Sequence, residues 1–247
     1  MSKKQLQTNN ERLSAAVEYL KSNIKVYPDK KPFSQMTWED ISIICKAGKA
    51  SEYWAIGDTK NMVEGDTTTA LRIIGFDHDY VSDMAAYGRE KAGITLEAFK
   101  GQSSLYVQYG SSHDSTTSWH NSKIRTTTLA QYLNNTIPTT LKNVIVPVGK
   151  EFVYRNTGSL GSVSDTVFLL SAREIFGSAI SGYGSGGEQY AYYAAGNSTT
   201  KYSGTNLMSW WTRSPLDSAA FQFINTSGSA QGSYMDSYHF VTPCFCV

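Results

Sequence analysis

Hydrophobic positions near the N-terminus repeat every seven residues. Leu6, Leu13, Leu20 and Tyr27 share one seam position, and Asn10, Val17 and Ile24 share the other, each of these three lying four residues after the preceding leucine. This alternating spacing predicts a coiled-coil helix over residues 1–30, with the polar Asn10 setting register and oligomer state. Three heptads make roughly 33 Å of helix, which is marginal alone in water. The seam therefore predicts a homo-oligomer, a trimer rather than a dimer. Pro28 and Pro32 end the helix.

A second helical pattern follows in "MTWEDISIICKAGK", where Thr37 can cap, Asp40 stands at the capping-box position, and Trp38, Ile41, Ile44 and Cys45 line one side. Residues 31–59 are read as a helical connector. Two strands joined at Glu64–Asp66 come next, and "ITLEAF" alternates like a third. Ser118 can cap a helix through "WHNSKIRTTTLAQYLNN", while "KNVIVPV" and "DTVFLLS" are short apolar runs that predict buried strands. In residues 177–204, Gly, Ser and Tyr supply 17 of 28 positions, which predicts a long surface loop. Strands return in "LMSWWTRS", "AAFQFIN", "QGSYMD" and "FVTPCFCV", separated by turn-forming residues. Short sequential strands with few helices predict an α+β body with mostly antiparallel small sheets.

Charge changes the picture by its distribution. Residues 1–100 carry 28 charged side chains and residues 101–247 carry 15, so the front is solvated and the back is Gly/Ser/Thr/Tyr-rich. A net charge of +1 argues against a nucleic-acid partner. No apolar stretch reaches the length of a membrane span, and "MSKKQLQTNNER" has no signal-peptide core, so neither membrane insertion nor signal-directed export is expected. Cys45, Cys244 and Cys246 form no metal-ligand pattern and read as buried thiols, the last two on one face of a strand.

"WHNSKIRTTTLAQYLNN", "DTVFLLSAREIFG", "WWTRSP" and "FVTPCFCV" occur in that order. Together they resemble the landmarks of a C-type-lectin-like domain of phages and gut bacteria, related in fold to formylglycine-generating enzymes and to the variable proteins of diversity-generating retroelements. The resemblance covers residues 60–247, and the first 59 look like the leader of phage virion proteins from Gram-positive hosts. Thr242 stands where that family usually carries Arg. The resemblance implies framework roles for Trp119, Trp211, Arg213 and Pro243, with Arg213 tied to backbone carbonyls or an acid. Strand alternation puts Trp210 on the face opposite Trp211.

The candidate chemistry is non-enzymatic. His78, His113, His120 and His239 are scattered, "FDHDY" reads as a solvated turn whose acids and histidine point to opposite faces, and no nucleophile elbow, phosphate loop or HExxH motif occurs. After residue 160 the acids are too dispersed for a calcium site, so no metal and no cofactor are expected. Tyr183, Tyr190, Tyr192, Tyr193 and Tyr202 in a Gly/Ser-rich loop have the composition of a paratope. Of these, Tyr183, Tyr192, Tyr193 and Tyr202, with Trp210, are the candidate ligand-binding residues, and the late turns Asn225–Ser229 and Tyr234–Tyr238 are a second candidate region. The expected function is an oligomeric virion protein, made in a bacterial cytoplasm, that contacts other virion proteins and recognises a host-surface glycan or protein. The alternative is a structural decoration, collar or fibre component.

Overall fold

The computed structural model describes residues 3–23, 27–64, 67–101, 105–110, 116–179 and 186–247. Helix α1 spans Lys3–Asn23, and its side chains from Lys3 to Tyr19 are exposed. Leu6 (55%), Leu13 (65%) and Val17 (39%) therefore form an uncovered stripe, with Asn10 exposed among them. The side chain of Leu20 and all of Ile24 lie outside the described residues.

From Pro28 onward the chain is tied to the body. The Tyr53 hydroxyl donates to the Pro28 carbonyl at 2.8 Å, and the Trp54 indole to that of Lys31. Helix α2 (Trp38–Lys46) is capped by the Thr37 hydroxyl, which accepts from the Asp40 amide. Its apolar residues recur at helical spacing, so Trp38, Ile41, Ile44 and Cys45 are all buried. Helix α3 (Ala50–Tyr53) follows. The 31–59 stretch thus contributes Phe33, Met36, Trp38, Ile41, Ile44 and Trp54 to one hydrophobic cluster that runs on to Val247.

Strands β1 (Thr59–Glu64) and β2 (Thr67–Phe76) form an antiparallel hairpin, and β2 pairs with β3 (Ile94–Gly101). The short helix α4 (Met84–Tyr87) lies between β2 and β3. Strand β4 (Tyr106–Gln108) precedes a helical stretch that widens into a π-helix at Ile124–Leu129 before α5 (Ala130–Asn135) and α6 (Thr139–Lys142). A separate hairpin, β5 (Val148–Val153) and β6 (Leu160–Asp165), leads to α7 (Ala172–Phe176) and then α8 (Ala191–Ala194). Strands β7 (Lys201–Ser203) and β8 (Asn206–Met208) extend the first sheet. Strands β9 (Trp210–Pro215), β10 (Ala220–Ile224), β11 (Ala230–Tyr234) and β12 (Tyr238–Phe240) form the second, in the order β11-β10-β9-β12-β4. The last strand, β13 (Cys244–Cys246), returns to pair antiparallel with β3. The body is α+β with mostly antiparallel sheets. Parallel pairings occur between β3 and β7 and between β9 and β12.

Three expectations need correction. "KNVIVPV" and "DTVFLLS" are not ladder strands; each makes an isolated bridge to β13, Val146 with Cys246 and Phe168 with Cys244. Their apolar character reflects burial under that strand rather than pairing. The 177–204 stretch is not a free loop either. It holds α8 and β7, and it sends Tyr190, Tyr193 and Lys201 into the interior.

Candidate functional site

Neighbouring strands place chemistry on one face. Glu97 and Thr95 of β3 stand opposite Cys244 and Cys246 of β13, and Arg72 of β2 stands opposite Glu97. Paired residues share a face, so this face carries an acid, a cation and two thiols at the centre of the protein.

Two buried ion clusters grow from it. In the first, Glu97 accepts from Arg72 Nε at 2.5 Å, from Lys201 Nζ at 2.6 Å and from the Tyr193 hydroxyl at 2.8 Å. Burial works to raise the Glu97 carboxyl, but Arg72 and Lys201 override it and hold it below the usual range. Lys201 also donates to Thr242 Oγ1 at 3.1 Å and sits 3.7 Å above the Trp210 ring. Arg72 donates to the Tyr192 hydroxyl at 2.8 Å, and its guanidinium lies between the rings of Tyr192 and Phe99.

In the second cluster, Lys150 Nζ lies 2.7 Å from both Asp79 Oδ1 and Glu174 Oε1 and donates to the Tyr190 hydroxyl at 3.0 Å. Asp79, expected in a solvated turn, is instead buried and accepts further bonds from Tyr190 and from Thr95 Oγ1, with Cys246 Sγ 3.4 Å away. Glu174 is held by Arg213 in a two-point fork, Nη2 to Oε1 at 2.7 Å and Nη1 to Oε2, and accepts from the Ser171 amide at α7. Burial would raise both carboxyls, yet Lys150 on Asp79 and Arg213 on Glu174 keep them low. Burial would lower Lys150, and its two acids instead raise it. Every charge in this cluster is fixed by another, which is how charged groups persist in an interior. The thiols of Cys244 and Cys246 are pushed up by burial, the opposite of activation.

This second cluster floors an open cleft of about 280 Å³, lined in part by His78, Tyr80, Glu151, Arg173 and Glu188. The His78 ring stacks on Tyr190 at 4.0 Å and is held below its usual pKa by burial. Gly187 closes one wall; its φ is +92°, and an added Cβ would stand 2.7 Å from Glu174 Oε1, so only glycine fits there. Its amide donates to Glu151 Oε2 at 2.9 Å.

The anchors expected from sequence are largely used internally. Trp210 and Trp211 are both fully buried, so strand alternation did not expose either: Trp210 packs under Lys201, and Trp211 packs against Tyr109 and His239. Tyr193 is buried on Glu97, and Tyr192 is half-buried on Arg72. Tyr202 is exposed on β7, and Tyr183 lies outside the described residues. Trp119 is buried with its indole donating to Asp165 at 2.7 Å, and Pro243 is buried with its carbonyl accepting from the Ala98 amide. Arg213 meets both halves of its expected tie, since it also donates to the Glu151 and Leu169 carbonyls. Among the described residues, no group of three or more His, Cys, Asp and Glu could hold a metal, and no helix is long and apolar enough to cross a membrane.

Exposed aromatics gather elsewhere. Tyr106 of β4 (49% exposed) stands 5.6 Å from Tyr238 (51%) and 4.9 Å from Phe240, both of β12. Tyr234, 56% exposed, ends β11, and the turn from it to Tyr238 is pinned from below. Met235 is buried with its sulfur on Arg155, Gly110 donates to its carbonyl, and Gln108 donates to that of Asp236. The Tyr234–Tyr238 turn was among the sequence candidates; Tyr106 was missed, because a three-residue strand carries almost no periodic signal.

No curated protein and no solved structure matches this chain. A family model does, described as "Domain of unknown function (DUF6273)", over residues 96–247. That span begins in β3 and takes in both ion clusters' Glu97, Lys150, Glu174, Lys201 and Arg213, the exposed tyrosines and β13. By this match, which covers more than half of its length, the chain belongs to the DUF6273 family.

Proposed function

We propose that this chain is a non-enzymatic recognition module of a bacteriophage particle, a C-type-lectin-like body presented by self-associating N-terminal helices. The four ordered motifs support the lectin-like reading. The interior ion clusters support a scaffold role, because Asp79, Glu97 and Glu174 are each held by buried cations and hydroxyls that tie distant strands together. The observation that carries recognition is the Tyr106–Tyr238–Phe240 cluster beside Tyr234. Rigid aromatics on a pinned turn supply contact area at low entropic cost.

The double variant Tyr106→Ala/Tyr238→Ala is expected to weaken attachment of the labelled full chain to Gram-positive gut bacteria about 30-fold, corresponding to about 2 kcal/mol. Its thermal melting should match the wild type, since both rings are half exposed. Retained attachment would remove the strand face from recognition. Normal attachment with failed particle assembly would favour the structural-component reading.

The uncovered Leu6, Leu13 and Val17 stripe supports self-association. Sedimentation at micromolar concentration should show an oligomer for the full chain and a folded monomer after deletion of residues 1–26, which spares the Pro28 and Lys31 ties. A monomeric full chain would end the coiled-coil reading.

A further inference from the structure

We propose that the cleft between β5 and α7 is a metal-free site for a single neutral sugar ring, such as the terminal residue of a glycan. The cleft lies on a different part of the body from the strand-face tyrosines, and the argument for it does not use them.

Its size comes first. At about 280 Å³ it lies just below the roughly 300–1,000 Å³ typical of ligand pockets. That suits one ring better than an extended chain. Its floor is rigid, because Asp79, Lys150 and Glu174 satisfy one another and Tyr190. A ligand therefore meets a preformed surface and need not displace an ion pair.

The rim has the chemistry of a polyol. A hydroxyl donates one bond and accepts others, and it is matched by planar side chains that do the same. His78 is stacked on Tyr190 and kept neutral by burial, so its ring offers one donor and one acceptor. Glu188 is exposed at the cleft. Glu151, anchored through Oε2 by the Gly187 amide, retains further lone pairs for hydroxyl donors.

One exposed aromatic completes the set. Tyr80 is 55% exposed and lines the cleft, and Lys91 Nζ covers its ring at 4.7 Å without itself lining the cleft. The ring face turned away from Lys91 can pack against the C–H face of a pyranose.

Charge selects against the alternatives. Four carboxylates, Asp79, Glu151, Glu174 and Glu188, outnumber Lys150 and Arg173 in the lining, so an anion is repelled; a cation finds Asp79 and Glu174 already paired with Lys150. A neutral ring meets no charge penalty and uses the rim's hydrogen-bonding groups.

The test is a titration of the full chain with the methyl glycosides of glucose, galactose, N-acetylglucosamine and rhamnose, read by saturation-transfer NMR and calorimetry. At least one should bind saturably at millimolar concentration and be indifferent to EDTA. Tyr80→Ala and Glu188→Gln should each weaken it about tenfold, with melting unchanged because both residues are exposed. Tyr106→Ala/Tyr238→Ala should bind the glycoside as the wild type does, which separates this site from the strand face. The proposal is overturned if no glycoside saturates, if EDTA abolishes binding, or if both cleft variants bind normally. It is also overturned if n-butylammonium binds where the glycosides do not.

Discussion

Replacing Arg213 with alanine is expected to cost about 3–5 kcal/mol of unfolding free energy, the range for removing one member of a buried ion pair. The guanidinium supplies Glu174 with a two-point fork and also satisfies the Glu151 and Leu169 carbonyls. Without it Glu174 shares Lys150 with Asp79, leaving two buried carboxylates on one ammonium. Two carbonyls lose their donor as well. Arg213→Lys should recover only part of the loss, since a point-charge ammonium cannot make the fork. Urea unfolding at constant slope measures both variants. A loss under about 1 kcal/mol for Arg213→Ala would mean the fork is not formed, because even one orphaned buried acceptor costs that much.

Glu97→Gln should be comparably damaging, at about 3–5 kcal/mol, because it leaves Arg72 and Lys201 buried as cations without their shared acid. The pH dependence supplies a control that a packing defect would not reproduce. The folded-state pKa of Glu97 is lowered, so its contribution is present above the ordinary glutamate value of about 4.3 and fades as pH falls toward the folded value. The stability gap between wild type and Glu97→Gln should therefore be full at neutral pH and narrow in acid. A gap that stays constant to low pH would show that Glu97 acts through shape and not charge. Replacing Glu97, Arg72 and Lys201 together by apolar residues of similar volume should restore much of the loss, as removing a whole buried cluster often does.

Local rules determined a good part of this protein. The Thr37 cap and the 3.6-residue spacing of Trp38, Ile41, Ile44 and Cys45 are short-range physics, and they specify α2 without help from the rest of the chain. The β1–β2 hairpin, β3, and β9 to β11 are legible for the same reason: alternation bounded by turn residues. The i and i+2 placement of Cys244 and Cys246 put both on one strand face, where they lie. The heptad of α1 was legible too, and Leu6, Leu13 and Val17 stand exposed along it.

Tertiary structure alone decided where the charges and tyrosines go. Tyr190 and Tyr193 look like paratope residues because their neighbours are Gly, Ala and Ser. They are interior because Asp79 and Glu97, 111 and 96 residues away in sequence, offer buried carboxylates to their hydroxyls. No local pattern encodes a hydrogen bond over that distance. Trp210 fails as an exposed anchor for a related reason. Alternation assigns it to the face opposite Trp211, but only the arrival of β7 shows that Lys201 covers that face. Tyr106 and the β5–β6 hairpin were illegible at the other extreme: β4 has three residues, β6 is Gly- and Ser-rich, and β5 hides its alternation by burying Lys150. Sequence thus determined which elements form by local hydrogen bonding and periodic burial; the pairing of distant charges, which sets the core and the cleft, exists only once the chain is folded.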